Sequence, residues 1–403
     1  MNIFRLSLAY LRQRPLTTAL NVAMLALGLA TIVVLLLAAH QLEERMTRDA
    51  RGIDMVIGAK GSPMQLVLAG IYHLDVPPGN IPLASAKEIA KHPMVKAAIP
   101  LALGDNYKGF RIVGAPLDYP ALYGAKPAQG VMYAQALEVV LGAEAALGSG
   151  LTVGDEFAGS HGLGEGGEAH NEAKYRVVGI LHPTGAVVDR LVLCNVESVW
   201  KVHEKVHEIQ PGTAEAKIME EEREVTMLLI QYKSPLAAAM LPRAINQRGD
   251  VQAAAPALEL ARLFRLVGVG VDVVKGFAVV LILAAALGLV ATLTAALRER
   301  RYDLAVLRTL GASRGKVFGL MLLEGVALAF AGAVLGIVLG HLLMGGIGWW
   351  LAQEKSVPMT GWIFLWEEAA LLAGALVLGA LAACGPAWAA YRSDVAGTLA
   401  QSW

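Results

Sequence analysis

His203-Glu204-Lys205-Val206-His207 spells a metal-hydrolysis motif. On a helix, two imidazoles four residues apart share one face and could grip zinc, with Glu204 as a general base. Protease chemistry needs a third ligand and a substrate cleft as well. The surrounding WKVHEKVHEIQ is dense in charge. It reads first as a solvated helix, second as a non-catalytic metal-handling pair made by His203 and His207, and last as a protease. His161, His170 and His182 lie nearby in sequence, the first two bounding a glycine-rich loop.

Gly311-Ala-Ser-Arg-Gly315-Lys316-Val317 has the look of a phosphate-binding loop, but it is one residue short before its second glycine. It also ends in Val where a magnesium-binding Ser or Thr is required, and no strand precedes it. Gly58-Ala59-Lys60-Gly61-Ser62 lacks the spacing too. If this chain works with ATP, the nucleotide and its magnesium sit in another polypeptide. The chain is thus expected to be a non-catalytic subunit with no directly bound cofactor, zinc at His203 and His207 being the one candidate.

Four apolar runs must position whatever chemistry there is. Thr17–Ala39, Gly276–Leu297 and Ala369–Tyr391 carry no ionisable acid or base chain apart from the terminal tyrosine. Val317–Met344 carries Glu324 and His341. A bilayer core of ~30 Å needs about 20 helical residues, so each run is long enough to cross. The first is too long for the apolar part of a cleavable signal and reads as an uncleaved anchor.

Arg5, Arg12 and Arg14 precede the first span, and Arg298, Arg300, Arg301, Arg308, Arg314 and Lys316 separate the second from the third. Basic residues mark the cytoplasmic side, which puts both termini inside a plasma (inner) membrane. The expected layout is an amphipathic elbow over 1–16 and spans at 17–39, 271–297, 317–344 and 369–391. Residues 40–270 form an outer domain, with an inserted subdomain at about 105–190. A 298–316 inner loop, a 345–368 outer loop and a 392–403 tail complete it. Trp349, Trp350, Trp362 and Trp366 suit an interfacial aromatic belt, or else the packing of a short outer loop.

The 34 basic and 34 acidic residues balance, which excludes a nucleic-acid partner on charge grounds. Cys194 and Cys384 fall on different parts of this topology, so no internal disulfide is expected. The outer segment reads as mixed α/β. Strands are expected at 95–103, 107–113, 138–141, 175–181, 189–193, 227–232 and 251–255, with helices at 84–92, 142–146 and 236–246. Strand–helix–strand runs at both ends imply one sheet assembled from distant sequence around an insert. Leu260–Lys275 is expected to run on as a helix into the second span.

The chain resembles the FtsX/MacB-type permeases of ABC transporters, which include lipoprotein-releasing and macrolide- or peptide-exporting systems. The resemblance rests most on Arg300-Arg301-Tyr302-Asp303-Leu304-Ala305 and Leu310-Gly311-Ala312-Ser313, with Asp303 where the family usually has Glu. Glu324 in the third span and Pro386-Ala387 with Tyr391-Arg392 after the fourth also match. Outside, Val139-Val140-Leu141-Gly142, Leu151-Thr152-Val153-Gly154-Asp155 and Tyr175-Arg176-Val177-Val178-Gly179-Ile180 are similar to the periplasmic core.

The resemblance implies a membrane α-helical fold of four spans with a large α/β extracytoplasmic domain. It also implies a coupling helix over Tyr302–Leu310 that seats in a partner ATPase, with Leu304, Leu307 and Leu310 forming one apolar face. Arg300, Arg301, Asp303 and Arg308 would supply polar contacts and Gly311 the helix end. Implied partners are an ATPase dimer, a second permease copy or paralogue, a periplasmic adaptor or substrate-binding protein, and membrane lipid. The implied work is export or release of a lipoprotein, peptide or small hydrophobic compound. The alternatives are an FtsX-like signalling scaffold for an outside enzyme, and zinc-related transport. Gly332, Gly336 and Gly340 form a small-residue seam suited to a neighbouring helix, such as that of a second copy. Glu324 is expected to meet Arg314 or Lys316, and His341 to face an interhelical or outer vestibule.

Overall fold

The computed structural model describes residues 15–161, 169–203, 222–353 and 359–393. Most of the elbow at 1–16, most of the tail at 392–403, Glu204 and His207 lie outside the described residues. In chain order the elements begin with α1 (Pro15–Asp49), β1 (Met55–Gly58), α2 (Pro63–Gly70), β2 (Ile81–Pro82), α3 (Leu83–Ala90) and β3 (Val95–Tyr107). Next come β4 (Phe110–Gly114), α4 (Asp118–Leu122), β5 (Pro127–Gly130), β6 (Glu138–Leu141), α5 (Ala143–Ser149), β7 (Glu156–His161) and β8 (Ala169–Leu181). Then follow β9 (Val192–Cys194), α6 (Val196–His203), β10 (Glu224–Val225), β11 (Met227–Tyr232), α7 (Pro235–Asn246) and β12 (Gln252–Ala254). The last four are α8 (Pro256–Glu299), α9 (Arg301–Thr309), α10 (Arg314–Gln353) and α11 (Trp366–Tyr391).

Two compact units result, one of residues 43–265 and one of 1–42 with 266–403. The first is built on a ten-stranded mixed sheet ordered β12-β1-β11-β3-β4-β9-β6-β8-β5, with β7 joining β3 and β8. β1, β11 and β12 come from the two ends of the unit, while β4 to β9 form the insert. The 13-residue β3 belongs to both halves, pairing with β11 along Val95–Leu101 and with β4 along Ala102–Tyr107. Each half has its own core. One gathers Ile57, Ile89, Leu228, Ile230, Leu241 and Ile245; the other gathers Ile112, Val139, Leu141, Phe157, Tyr175 and Val192.

The expected strand at 189–193 is corrected. Val187–Arg190 is a 3-10 turn and only Val192–Cys194 pairs in the sheet. The reason is local chemistry: the buried Asp189 carboxylate accepts from the amides of Thr184 and Gly185 at 2.9 and 2.7 Å, and from Thr184 Oγ1 at 2.8 Å. A side chain that bonds backbone a few residues away bends the chain out of a ladder.

In the other unit α1, α8, α10 and α11 are 35, 44, 40 and 26 residues long, and all four are apolar enough to cross a membrane. They extend beyond the expected spans, because apolar content marks the part in lipid while the helix continues into polar sequence. Close packing rests on small residues. A Cβ at Gly336 would meet Ala26 O and Leu29 Cβ at 2.9 Å, and one at Gly332 or Gly340 would meet Leu25 or Val33 at 2.8 and 2.7 Å. The seam is therefore filled by α1 of the same chain, which corrects its expected use for a second copy. Gly325 and Gly379 bring α10 and α11 together in the same way, each Cβ position lying within 3.0 Å of the other residue's carbonyl oxygen. Trp349, Trp350, Trp362 and Trp366 are all exposed, as a lipid-interface belt requires and loop packing does not.

Candidate functional site

α9 is a nine-residue helix separated from α8 by one residue, Arg300, and from α10 by Leu310–Ser313. Its end follows from Gly311, whose φ of +98° suits a residue without a Cβ. Gly311 N–H donates to Arg308 O at 3.1 Å and Ala312 N–H to Leu307 O at 3.0 Å, the paired bonds of a Schellman stop.

Two side chains tie α9 to the bundle. Arg300 Nη1 donates to Glu324 Oε1 at 3.0 Å, with both side chains almost fully buried. Arg308 Nη1 donates to Ser393 O at 2.6 Å. Glu324 therefore meets Arg300, not the expected Arg314 or Lys316. Arg314 lies over the Tyr391 ring, 6.0 Å from its centroid, and Lys316 is exposed. Arg300 immediately precedes the helix, so its side chain reaches the bundle while the chain turns away.

The apolar stripe expected over Leu304, Leu307 and Leu310 is split. Leu304 is buried and Leu307 packs beside it against Leu297, Val317, Leu320, Met321, Ala387 and Ala390. Leu310 is 79% exposed and Tyr302 52%. The surface α9 offers to another molecule consists of Arg301, Tyr302, Asp303, Thr309 and Leu310, all exposed. The helix is a bolted plate with one free side.

His341, the other ionisable residue of the apolar run Val317–Met344, sits near the far end of α10. Nε2 lies 2.9 Å from Glu368 Oε2, and Nδ1 lies 2.6 Å from Gly361 O. Glu368 also accepts from Leu365 N–H at 3.0 Å, so one carboxylate caps α11 and holds the histidine. His341 thus turns toward Glu368 of α11 and the Gly361 carbonyl.

His203 ends α6. Its Nδ1 lies 2.8 Å from Val199 O, and its Nε2 lies 3.4 Å from the buried Asp105 Oδ1. The Asp105 contact raises the imidazole's pKa above its ordinary value, against the opposing effect of burial. An acceptor near each nitrogen is an arrangement that favours the protonated ring. Among the described residues, no three His, Cys, Asp or Glu side chains converge to hold an ion.

A buried polar group in the sheet domain carried no sequence signal. His73 has φ +55°, is 8% exposed, and holds Nε2 2.8 Å from Tyr119 Oη. Burial lowers its pKa well below the ordinary value, helped by Arg111 and Arg190. Arg111 donates from Nη1 to Asp75 O at 2.6 Å, and burial pushes its pKa down to about 10. Tyr119 lies 46 positions after His73 and Arg111 lies 36 after Asp75, in segments with no recognisable motif.

Comparison with known families matches residues 18–248 to the MacB-like periplasmic core domain and 275–395 to the FtsX-like permease C-terminal domain. The chain belongs to the FtsX/MacB-type ABC transporter permeases. Solved structures similar to the permease include the periplasmic region of MacB from Actinobacillus actinomycetemcomitans. It is 14% identical, with TM-score 0.34 over 53% of this chain and 95% of that one. The extracellular domain of the noncanonic ABC-type transporter YknZ from Gram-positive bacteria is 11% identical, with TM-score 0.30 over 49% and 98%. Comparison with curated proteins returns no match. The permease is a membrane protein with four apolar spans and a mixed α/β domain.

Proposed function

We propose that the permease is driven by a separate ATP-hydrolysing subunit that seats on the free side of α9. The drive moves the 43–265 domain, and that motion exports or releases a lipoprotein, peptide or small hydrophobic compound. ATP and magnesium are held by the partner, and α9 lies in the cytoplasm with both termini, following the basic residues around it.

The observation that carries this reading is the two-sided build of α9. Arg300–Glu324, Leu304 and Leu307 fix it to the helical bundle, while Tyr302 and Leu310 are left uncovered beside Arg301 and Asp303. A push received on that side is transmitted because the helix cannot shift without breaking a buried ion pair. An exposed aromatic and leucine ringed by charge is also the composition of a protein contact.

The test is pull-down of the tagged permease from native membranes, with ATPase activity measured in the eluate. Tyr302→Ala combined with Leu310→Ala should cut co-eluting activity about tenfold, the effect of ~1.4 kcal/mol lost at an interface. The permease itself should melt as wild type. Unchanged co-elution would overturn the assignment. Leu307 and Arg308 serve this test poorly, since both are engaged with the permease's own bundle.

A further inference from the structure

Within the sheet domain three buried nitrogen atoms have no hydrogen-bond partner among the described residues: His73 Nδ1, Arg111 Nε and Arg190 Nε. They come from separate elements. His73 follows α2, Arg111 is in β4, and Arg190 ends the 3-10 turn Val187–Arg190. His73 and Arg111 are only 8% and 5% exposed, so bulk water reaches neither nitrogen.

One network of contacts gathers these elements. His73 Nε2 meets Tyr119 Oη at 2.8 Å, and the Tyr119 ring packs edge-on against Tyr123. Tyr123 Oη donates to Asp49 O at 2.9 Å, and Asp49 Oδ1 accepts from Val187 N–H at 2.8 Å in the 3-10 turn. Arg111 reaches the loop that carries His73 through Asp75 O. The charges acting on His73 are the guanidinium groups of Arg111 and Arg190. The carboxylates of these segments are turned to backbone amides: Asp75, whose charge also favours Arg111, to Val76, Asp49 to Val187, and Asp189 to Thr184 and Gly185. Arg45, whose charge acts on Asp49, has Glu144 at 3.9 Å.

A buried donor with no acceptor is costly, and a buried cation with no counter-charge more so. Arginine nitrogens can only donate. A water molecule would accept from them but would still have its own two hydrogens to place, whereas an anion has none. We propose that His73, Arg111 and Arg190 together hold a small inorganic anion of halide size inside the sheet domain. Arg111 and Arg190 donate from Nε and supply the counter-charge. Tyr119 donates to His73 Nε2, so the neutral ring donates from Nδ1. Because none of the three nitrogens is open to solvent, the occupant is an ion small enough to be enclosed, such as chloride. The ion joins the His73 loop, β4 and the 3-10 turn, and Tyr72 and Val187 in turn bond the last turn of α1 at Met46 O and Asp49 Oδ1.

The test is thermal unfolding of the full-length permease in lipid discs, with sodium gluconate exchanged for sodium chloride at constant ionic strength. Gluconate is too large to be enclosed. The wild-type midpoint should rise by about 3 °C in chloride, the shift of a ligand bound well above its dissociation constant. Arg190→Gln, at the half-buried member of the three, should lose that rise. Arg248→Gln, in a separate exposed cluster with Glu88 and Asp250, should keep it. A wild-type midpoint indifferent to chloride, a rise kept by Arg190→Gln, or one lost equally in Arg248→Gln would each overturn the site. Crystals of the wild-type permease grown with bromide give a reading that needs no variant to fold. An anomalous peak between His73, Arg111 and Arg190 is expected, and bromide found only elsewhere, as an adventitious ion only, would overturn the proposal. No ATPase takes part in either measurement, so a negative result here leaves the coupling proposal standing, and the reverse also holds.

Discussion

In the sheet domain the interior is filled by Tyr119, Tyr175, Met55, Ile57, Leu66, Ile71, Ile112 and Leu141, all essentially inaccessible. In the helical unit α10 comes close to α1 and α11 at Gly325, Gly332, Gly336, Gly340 and Gly379. Among the twelve largest fully buried side chains of the described residues, only Leu37 belongs to the helical unit. Water expels large apolar groups, so the sheet domain gains most by burying them. Lipid tails are as apolar as leucine, so spans associate through van der Waals fit and polar contacts instead. The two units therefore fail in different ways when altered.

The largest effect is expected at the bundle's buried charge. Arg300→Ala leaves Glu324 without its counter-ion and should destabilise the permease by about 3–5 kcal/mol, measured by unfolding in mixed detergent micelles. Arg300→Met with Glu324→Leu should recover most of that loss. If the double variant is as unstable as the single, the pair is not what holds α9.

Next comes the contrast between leucines. Leu141→Ala, in the sheet core, should cost about 2–5 kcal/mol through lost burial and a cavity. Leu381→Ala, 66% exposed on α11, should stay within about 0.5 kcal/mol. Equal losses would break the comparison between water-driven and lipid-solvated packing.

Glycine substitutions sharpen the other half. Gly336→Leu drives a side chain into Ala26 and Leu29 and should cost about 1–3 kcal/mol by prising α1 from α10. Gly374→Leu meets nothing within 4 Å and should be tolerated. The readout is the detergent midpoint of each full-length variant.

The smallest effect is a pH dependence confined to the sheet domain, in which two histidines act with opposite sign. His73 has a lowered folded pKa, so the unfolded chain takes up the proton first as pH falls below about 6.5, and stability drops on acidification. His203 has a raised folded pKa. Its contribution is complete below about 6.5 and is lost as pH rises through the folded value. Hydrogen exchange of the 43–265 amides should show protection falling on both sides of that pH. His73→Gln should flatten the acid limb and His203→Gln the other.

Four spans and a two-part α/β domain were readable because an uncharged apolar run of some 20 residues has one stable solution in a cell. β3, β6, β8 and β11 were readable too, each being a run of β-branched and aliphatic residues. The site was only partly so. Arg300 and Glu324 were both singled out, but the pairing between them, 24 positions apart, was not. Leu304, Leu307 and Leu310 share a helical period, yet that period does not say which of them meets the chain's own spans. His203 drew attention for a neighbour four residues on and is instead held by Asp105, nearly a hundred residues earlier. Asp189 looked like the start of a strand because its four local hydrogen bonds depend on a bend that composition does not encode.

Length and apolar runs were enough to establish four spans long enough to cross a membrane, since desolvation of the backbone depends on composition along the chain. The choice of partner for each small or charged residue was not available at that level. Gly336 fits any helix that comes near, and Glu324 any cation within reach; packing settled on α1 for the one and Arg300 for the other. Contact energies fall off within a few ångströms, so they depend on which distant segments the fold has already brought side by side.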